Sequence, residues 1–278
     1  MPAATGVALL VATRDIMATS CRDRATRRRL QLRIGRVAAL LLAVLSSAAR
    51  TDAASFSVNP TQIGLSAKVT SALVTVRNES DEPLRFQLSM FAWSQSLKGE
   101  MQLTPTKDVV FFPTLLTLAP KEERKIRVGA VTPPGTVEKT YRLFVEELPP
   151  PDKPGQTGVR VLTRMGIPIF LEPATKDGQA RLADLGLQKG TFTFRLANAG
   201  TVHFTPQSIR VRALDAAGAL VLDKKIDAWY ILAGTEREYE VVVPKPDCSR
   251  VASFVVDIQI EKTNLTERLQ APGGACGG

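Results

Sequence analysis

Residues 141–149 read Tyr141-Arg142-Leu143-Phe144-Val145-Glu146-Glu147-Leu148-Pro149. Tyr141, Leu143 and Val145 take alternate positions, Arg142, Phe144 and Glu146 stand between them, and a proline closes the run. A strand repeats its side-chain direction every two residues, so this pattern puts one face in a core and the other toward water. The same period recurs along the chain, at Ala72/Val74/Val76, Phe86/Leu88/Met90, Ile126/Val128, Phe192/Phe194/Leu196, Ile209/Val211/Ala213, Tyr239/Val241/Val243 and Phe254/Val256/Ile258/Ile260. Turn-forming stretches separate the runs: Asn78 to Pro83, Pro133-Pro134-Gly135, Asp215 to Gly218. No long segment holds a 3.6-residue period. The class is therefore all-β, with strand spacing of the sandwich kind.

A weak internal repeat suggests two domains. Val74-Thr75-Val76-Arg77-Asn78 runs on to Pro83, and Phe194-Arg195-Leu196-Ala197-Asn198 runs on to Pro206. Each is a strand ending in Asn, then a turn, then a Pro before the next strand. The join falls near Pro173, where apolar Ile169-Phe170-Leu171 gives way to Lys176-Asp177-Gly178. Expected domains are residues 55–173 and 174–278, each of ordinary size.

Residues 1–54 differ in kind. They carry nine Arg against three Asp. The basic stretch Arg27-Arg28-Arg29 with Arg33 and Arg36 precedes the apolar run Val37 to Leu45, and small residues follow at Ser46 to Ala49 and Ala53-Ala54. That order is the pattern of a secretory signal peptide. The apolar run is about half the ~20 residues a membrane span needs, so no stable membrane insertion is expected. Met17 is an alternative start. The whole chain has 36 basic and 27 acidic residues, a net of +9. Without the leader 27 and 24 remain, a net of +3, so the remaining charge gives no reason to expect nucleic acid. Export also places the last two cysteines, Cys248 and Cys276, in an oxidising compartment. An even pair there fits a disulfide, with two free thiols as the alternative.

Signs of catalysis are poor. There is one His, His203, at the head of a strand after Asn198-Ala199-Gly200. No Gly-x-Ser-x-Gly elbow, phosphate-binding glycine loop or metal-ligand cluster can be assembled from the residue types present. Glu146 and Glu147 are adjacent, so they point to opposite faces of a strand and cannot form a facing carboxylate pair. No enzyme, cofactor or metal is expected.

Several segments, in order and spacing, carry a resemblance. They are Phe56-Ser57-Val58-Asn59-Pro60-Thr61; Val74 to Asn78; Phe91-Ala92-Trp93-Ser94-Gln95; Phe112-Pro113 with Leu118-Ala119-Pro120; Lys125-Ile126-Arg127-Val128; Tyr141 to Pro149; and Ile167-Pro168-Ile169-Phe170-Leu171-Glu172-Pro173. Behind a signal peptide, this series resembles the PapD-like periplasmic chaperones of the chaperone–usher pilus pathway. The Ile-Pro-Ile-Phe form is closer to the archaic, Csu-type branch. The resemblance implies two immunoglobulin-like β-sandwich domains arranged as an L, in the periplasm, with pilin subunits and an outer-membrane usher as partners. Each subunit lacks its last strand, and the chaperone lends its own edge strand until the usher replaces it.

The segment Gly158-Val159-Arg160-Val161-Leu162-Thr163-Arg164 matches the family's donor strand. Val159, Val161 and Thr163 share one face, so they are the expected subunit-binding residues. The family holds the subunit's terminal carboxylate with an Arg in the first strand and a Lys in the last strand of the first domain. Those positions fall here on Gln62 and Pro168, neither of them basic. Arg142 and Arg164 are the nearby basic candidates, with Gln62 kept as the positional one. An Arg that the family often places before the final Pro is Glu172 here. The rival reading is a two-domain β-sandwich adhesin or structural pilus component. The strand that follows Tyr141–Pro149 speaks against it, since a subunit would lack that strand.

Overall fold

The computed structural model describes residues 56–150, 161–261 and 263–272. The expected signal peptide, Val159 and Cys276 lie outside the described residues.

The alternating runs fold as strands, as the all-β expectation requires. The first sandwich holds β1 (Phe56–Asn59), β2 (Ile63–Leu65), β3 (Ser71–Asn78), β4 (Leu84–Gln95), β5 (Met101–Pro105), β6 (Val109–Phe112), β7 (Leu115–Leu118), β8 (Glu123–Ala130), β9 (Lys139–Leu148) and β10 (Arg164–Leu171). One sheet runs β1-β3-β8-β6; the other runs β2-β10-β9-β4-β5, with β7 also paired to β4. Their facing rows close one core, Val74, Val76, Ile126 and Val128 from the first sheet meeting Phe86, Leu88, Tyr141, Leu143, Val145, Ile167 and Ile169 from the second. Apolar burial of this kind is the main favourable term in the fold.

The second sandwich holds β11 (Ala180–Gln188), β12 (Thr191–Asn198), β13 (Ser208–Leu214), β14 (Leu220–Ile226), β15 (Glu236–Val242), the short helix α1 (Lys245–Cys248), β16 (Ser253–Ile260) and β17 (Thr263–Gln270). Its sheets run β11-β12-β15 and β14-β13-β16-β17. Its core is aromatic at the centre, where Phe192 stacks on Phe254 with ring centroids 4.2 Å apart. Cys248 is buried at its margin.

The Asn repeat noted in the sequence has a physical cause. Asn78 is fully buried at the end of β3, where its amide donates to the carbonyls of Glu82 (2.8 Å) and Ala119 (3.0 Å) and accepts from the Ser80 N–H. Asn198 does the same after β12, donating to Val202 and Ile231 and accepting from Gly200 N–H. Each side chain satisfies carbonyls that a turn would otherwise leave buried and unpaired.

Among the described strands no ladder pairing joins the two sets. Side chains do so, together with two backbone hydrogen bonds, from the Glu138 N–H to the Thr201 carbonyl (2.9 Å) and from the Glu238 N–H to the Leu97 carbonyl (2.8 Å). Trp93 and Phe170 of the first set form a buried cluster with Leu232 of the second, flanked by Tyr230. Glu138 is buried beside them; its carboxylate accepts from the backbone N–H of His203 (3.0 Å) and lies 2.7 Å from Nδ1 of the same residue. The His203 ring stacks on Phe170 at 3.7 Å.

Candidate functional site

The site is built on β10. One edge of this strand pairs with β9 over its whole length, Arg164 to Leu171. The other edge pairs with β2 only at Ile169, Phe170 and Leu171. Upstream of Ile169 that edge is open among the described residues. The direction of its groups follows from the β9 contacts. The Glu147 N–H donates to the Thr163 carbonyl at 3.0 Å, and the Thr163 N–H donates to the Glu147 carboxylate at 3.4 Å. Thr163 therefore faces β9 with its backbone, and by alternation Arg164, Gly166 and Pro168 turn theirs to the open edge. A proline has no N–H to give, so Pro168 is tolerated at such an edge and not inside a sheet.

Side chains alternate on the same strand. Met165, Ile167, Ile169 and Leu171 lie opposite Val145, Leu143, Tyr141 and Lys139, and all four face the first core. Stepping back by two from Met165 gives Thr163, Val161 and Val159, the expected donor residues. Thr163 is half-buried. Val161 has left the core altogether and is 82% exposed. The assigned strand begins at Arg164, later than the Gly158 start read from the sequence. The apolar row thus continues past the end of the strand's own packing.

The opposite face carries the candidate anchors. Arg142 on β9 is only 6% exposed. Its guanidinium carbon sits 4.1 Å from the Trp93 ring centroid and 5.6 Å from that of Trp229. Nη1 donates to the Gly166 carbonyl at 3.4 Å, while Nε and Nη2 are buried without a hydrogen-bond partner, as is Trp93 Nε1. Burial disfavours the charged form and pulls the Arg142 pKa below the usual arginine value; Tyr230 opposes this. Gly166 leaves room for the neighbouring side chains, since a Cβ there would stand 2.9 Å from the Phe144 ring. Arg164 differs from Arg142. It is exposed, pairs with Glu146 at 3.2 Å, and lies 3.9 Å over the Phe144 ring. Gln62 is exposed and accepts a hydrogen bond from the Tyr230 hydroxyl at 3.1 Å. Glu172, at the family's Arg position, pairs with Lys176 at 2.6 Å.

Trp229, Tyr230 and the Glu138–His203 link were not legible as parts of this region. Trp229 and Tyr230 sit in an irregular stretch between β14 and β15, and no short-range pattern ties them to Arg142. His203 reads from the sequence as an ordinary turn residue, because its partner is 65 positions away.

Residues 55–176 match the family model described as pili and flagellar-assembly chaperone, PapD N-terminal domain. Over that stretch the chain is similar to the PapD family. The expected resemblance to PapD-like chaperones is met, and solved structures extend the likeness in fold across both sandwiches. A chain of the CsuC–CsuE chaperone–tip adhesion subunit pre-assembly complex, from archaic chaperone-usher Csu pili of Acinetobacter baumannii, is 17% identical with a TM-score of 0.52, covering 79% of this chain and 100% of that one. A chain of the Salmonella enterica SafA pilin–SafB chaperone complex is 14% identical with a TM-score of 0.52, covering 79% and 98%. The Escherichia coli chaperone DraB is 16% identical with a TM-score of 0.51, covering 78% and 97%. No curated protein matches the chain in sequence. Among the described residues no helix is long and apolar enough to cross a membrane, and no group of His, Cys and carboxylates could hold a metal ion.

Proposed function

We propose that this PapD-like chain is a periplasmic chaperone that binds pilin subunits by donating the edge of β10 and passes them to an outer-membrane usher. The observation that carries the reading is the apolar row of β10. It runs out of its own core to an 82% exposed Val161 beside an open strand edge. An open apolar edge is a hazard that proteins normally blunt. Here it supplies what an incomplete sandwich needs: backbone groups for a ladder and alternate side chains, Val159, Val161 and Thr163, for its groove. Burying two valines contributes on the order of 3–6 kcal/mol before ordering costs. Arg142, with Arg164 as the exposed alternative, takes the subunit's terminal carboxylate in place of the basic pair that Gln62 and Pro168 lack.

The reading includes export with loss of residues 1–54, domains at 55–173 and 174–278, and a Cys248–Cys276 bridge. It assigns a binding role and no catalysis. The adhesin or structural-subunit alternative is disfavoured because β10 pairs along its full length with β9, so the first sandwich already has the strand that a subunit lacks. The test is recovery of the tagged chain from the periplasm of its own host under piliating conditions. A one-to-one complex with a smaller pilin-like protein is expected. A chain that polymerises, or that comes back alone from piliated cells, overturns the proposal.

A further inference from the structure

Resting on the strand-donor reading, we propose that Trp229 of the second sandwich is part of the subunit-binding site and, with Arg142, receives the subunit's terminal carboxylate and the last side chain attached to it. The chain has two tryptophans, and both flank the Arg142 guanidinium. Trp93 is buried, at 3% exposure. Trp229 is 45% exposed and is held edge-on by Tyr230 at 5.5 Å. One ring is therefore a fixed floor and the other a wall that a ligand meets from solvent.

The guanidinium between them is incomplete. Nη1 is taken by the Gly166 carbonyl, while Nε and Nη2 are buried and unpaired. Nε–H and Nη2–H leave the same edge of the planar group, side by side, which is the fork that grips both oxygens of one carboxylate. Donors left unmet in a buried site are costly, and the ring faces recover only part of that cost through cation–π attraction. A carboxylate completes the fork. In a protein strand with an apolar row, the carboxylate free to enter is the α-carboxylate at the chain end. Its terminal side chain would then lie against the exposed ring of Trp229, so subunits ending in an apolar or aromatic residue are favoured. The second sandwich thus takes part in capture, and Trp229 is a specificity-determining residue.

The experiment uses the captured subunit complex, four Trp229 variants of the full chain and one control variant. Trp229→Ala should release subunit about tenfold faster, the range expected for a desolvated cation–π and aromatic contact. Trp229→Phe, which keeps a ring, should stay within about twofold of the parent. Trp229→Glu places a carboxylate of the chain's own beside the empty fork; it should depress capture about tenfold more than Trp229→Gln, although the two side chains have nearly the same size. A purely structural role for Trp229 would not separate Glu from Gln. Equal capture by those two variants, or a parent-like release rate for Trp229→Ala, overturns the inference. Failure of the strand-donor reading shows up separately, as undiminished capture by Val161→Asp.

Discussion

Val161→Asp separates folding from binding, because the two processes see this side chain in different surroundings. In the free chain Val161 is 82% exposed and packs against little. A surface substitution of this kind usually shifts stability by no more than about 0.5 kcal/mol, and the charge blunts an otherwise open edge. In the proposed subunit complex the same position lies in the subunit's apolar groove. There the change forfeits about 1.5–3 kcal/mol of valine burial and adds the cost of an unpaired buried polar group, about 1–3 kcal/mol on a protein scale. The sum, on the order of 2.5–6 kcal/mol, raises Kd by roughly two to four powers of ten. The assay has two arms. Thermal unfolding of the purified chain should shift by less than a few degrees, and co-purification of subunit should fall below detection. Capture at the parent level would refute the donor-strand argument. A large loss of thermal stability would show instead that Val161 is packed in the free chain, against its observed exposure.

Other expectations follow from the same geometry. Arg142→Ala should weaken subunit binding by about 1.5–3 kcal/mol, the loss of a charged hydrogen bond, whereas Arg164→Ala, which breaks an exposed pair with Glu146, should change it by less than ~1 kcal/mol in calorimetric titration. Glu138→Gln and His203→Ala should each lower stability by about 1–3 kcal/mol, and the double variant should cost less than the sum, because both break one contact. Phe192→Ala empties a fully buried position stacked on Phe254 and should cost about 3–5 kcal/mol in chemical unfolding.

The strands were readable because one physical rule sets them: a sheet with one buried face needs period 2, and runs such as Tyr141/Leu143/Val145 keep it. The Asn78 and Asn198 repeat was also visible, since one side chain closing one turn is a local device. The row proposed to be donated was visible as a pattern, with its position relative to the core supplied by pairing: Thr163 against Glu147 fixes which residues face inward. The anchor region was only half legible. Arg142 could be named, as a basic residue on the strand before the last, but nothing local to it signals burial between two tryptophans. That environment depends on Trp229 and on the packing of Tyr230, Phe170 and His203, contacts made across long stretches of chain. Long-range side-chain packing of this kind has no sequence period to reveal it.

The absence of a basic residue at position 168 has a reason in the register. Pro168 lies directly opposite Arg142 in the β9–β10 ladder. Residues so paired project from the same face with Cβ atoms about 5 Å apart. A Lys at 168 would therefore stand beside a guanidinium that is already buried, and like charges placed so are destabilising. Arg142 and a basic residue 168 are on this argument alternatives, each able to meet a carboxylate at the same end of the open edge. Pro168→Lys alone should lower the thermal stability of the free chain and weaken capture, because the new charge disturbs the fork. Pro168→Lys combined with Arg142→Ala should recover stability relative to Pro168→Lys, and should capture subunit better than Arg142→Ala, since one cation again faces the incoming chain end. The comparison needs only unfolding curves and binding isotherms for three variants. If Pro168→Lys were harmless beside an intact Arg142, or if the double variant bound no better than Arg142→Ala, the two positions would not share one ligand, and Arg142 would lose its place as the anchor.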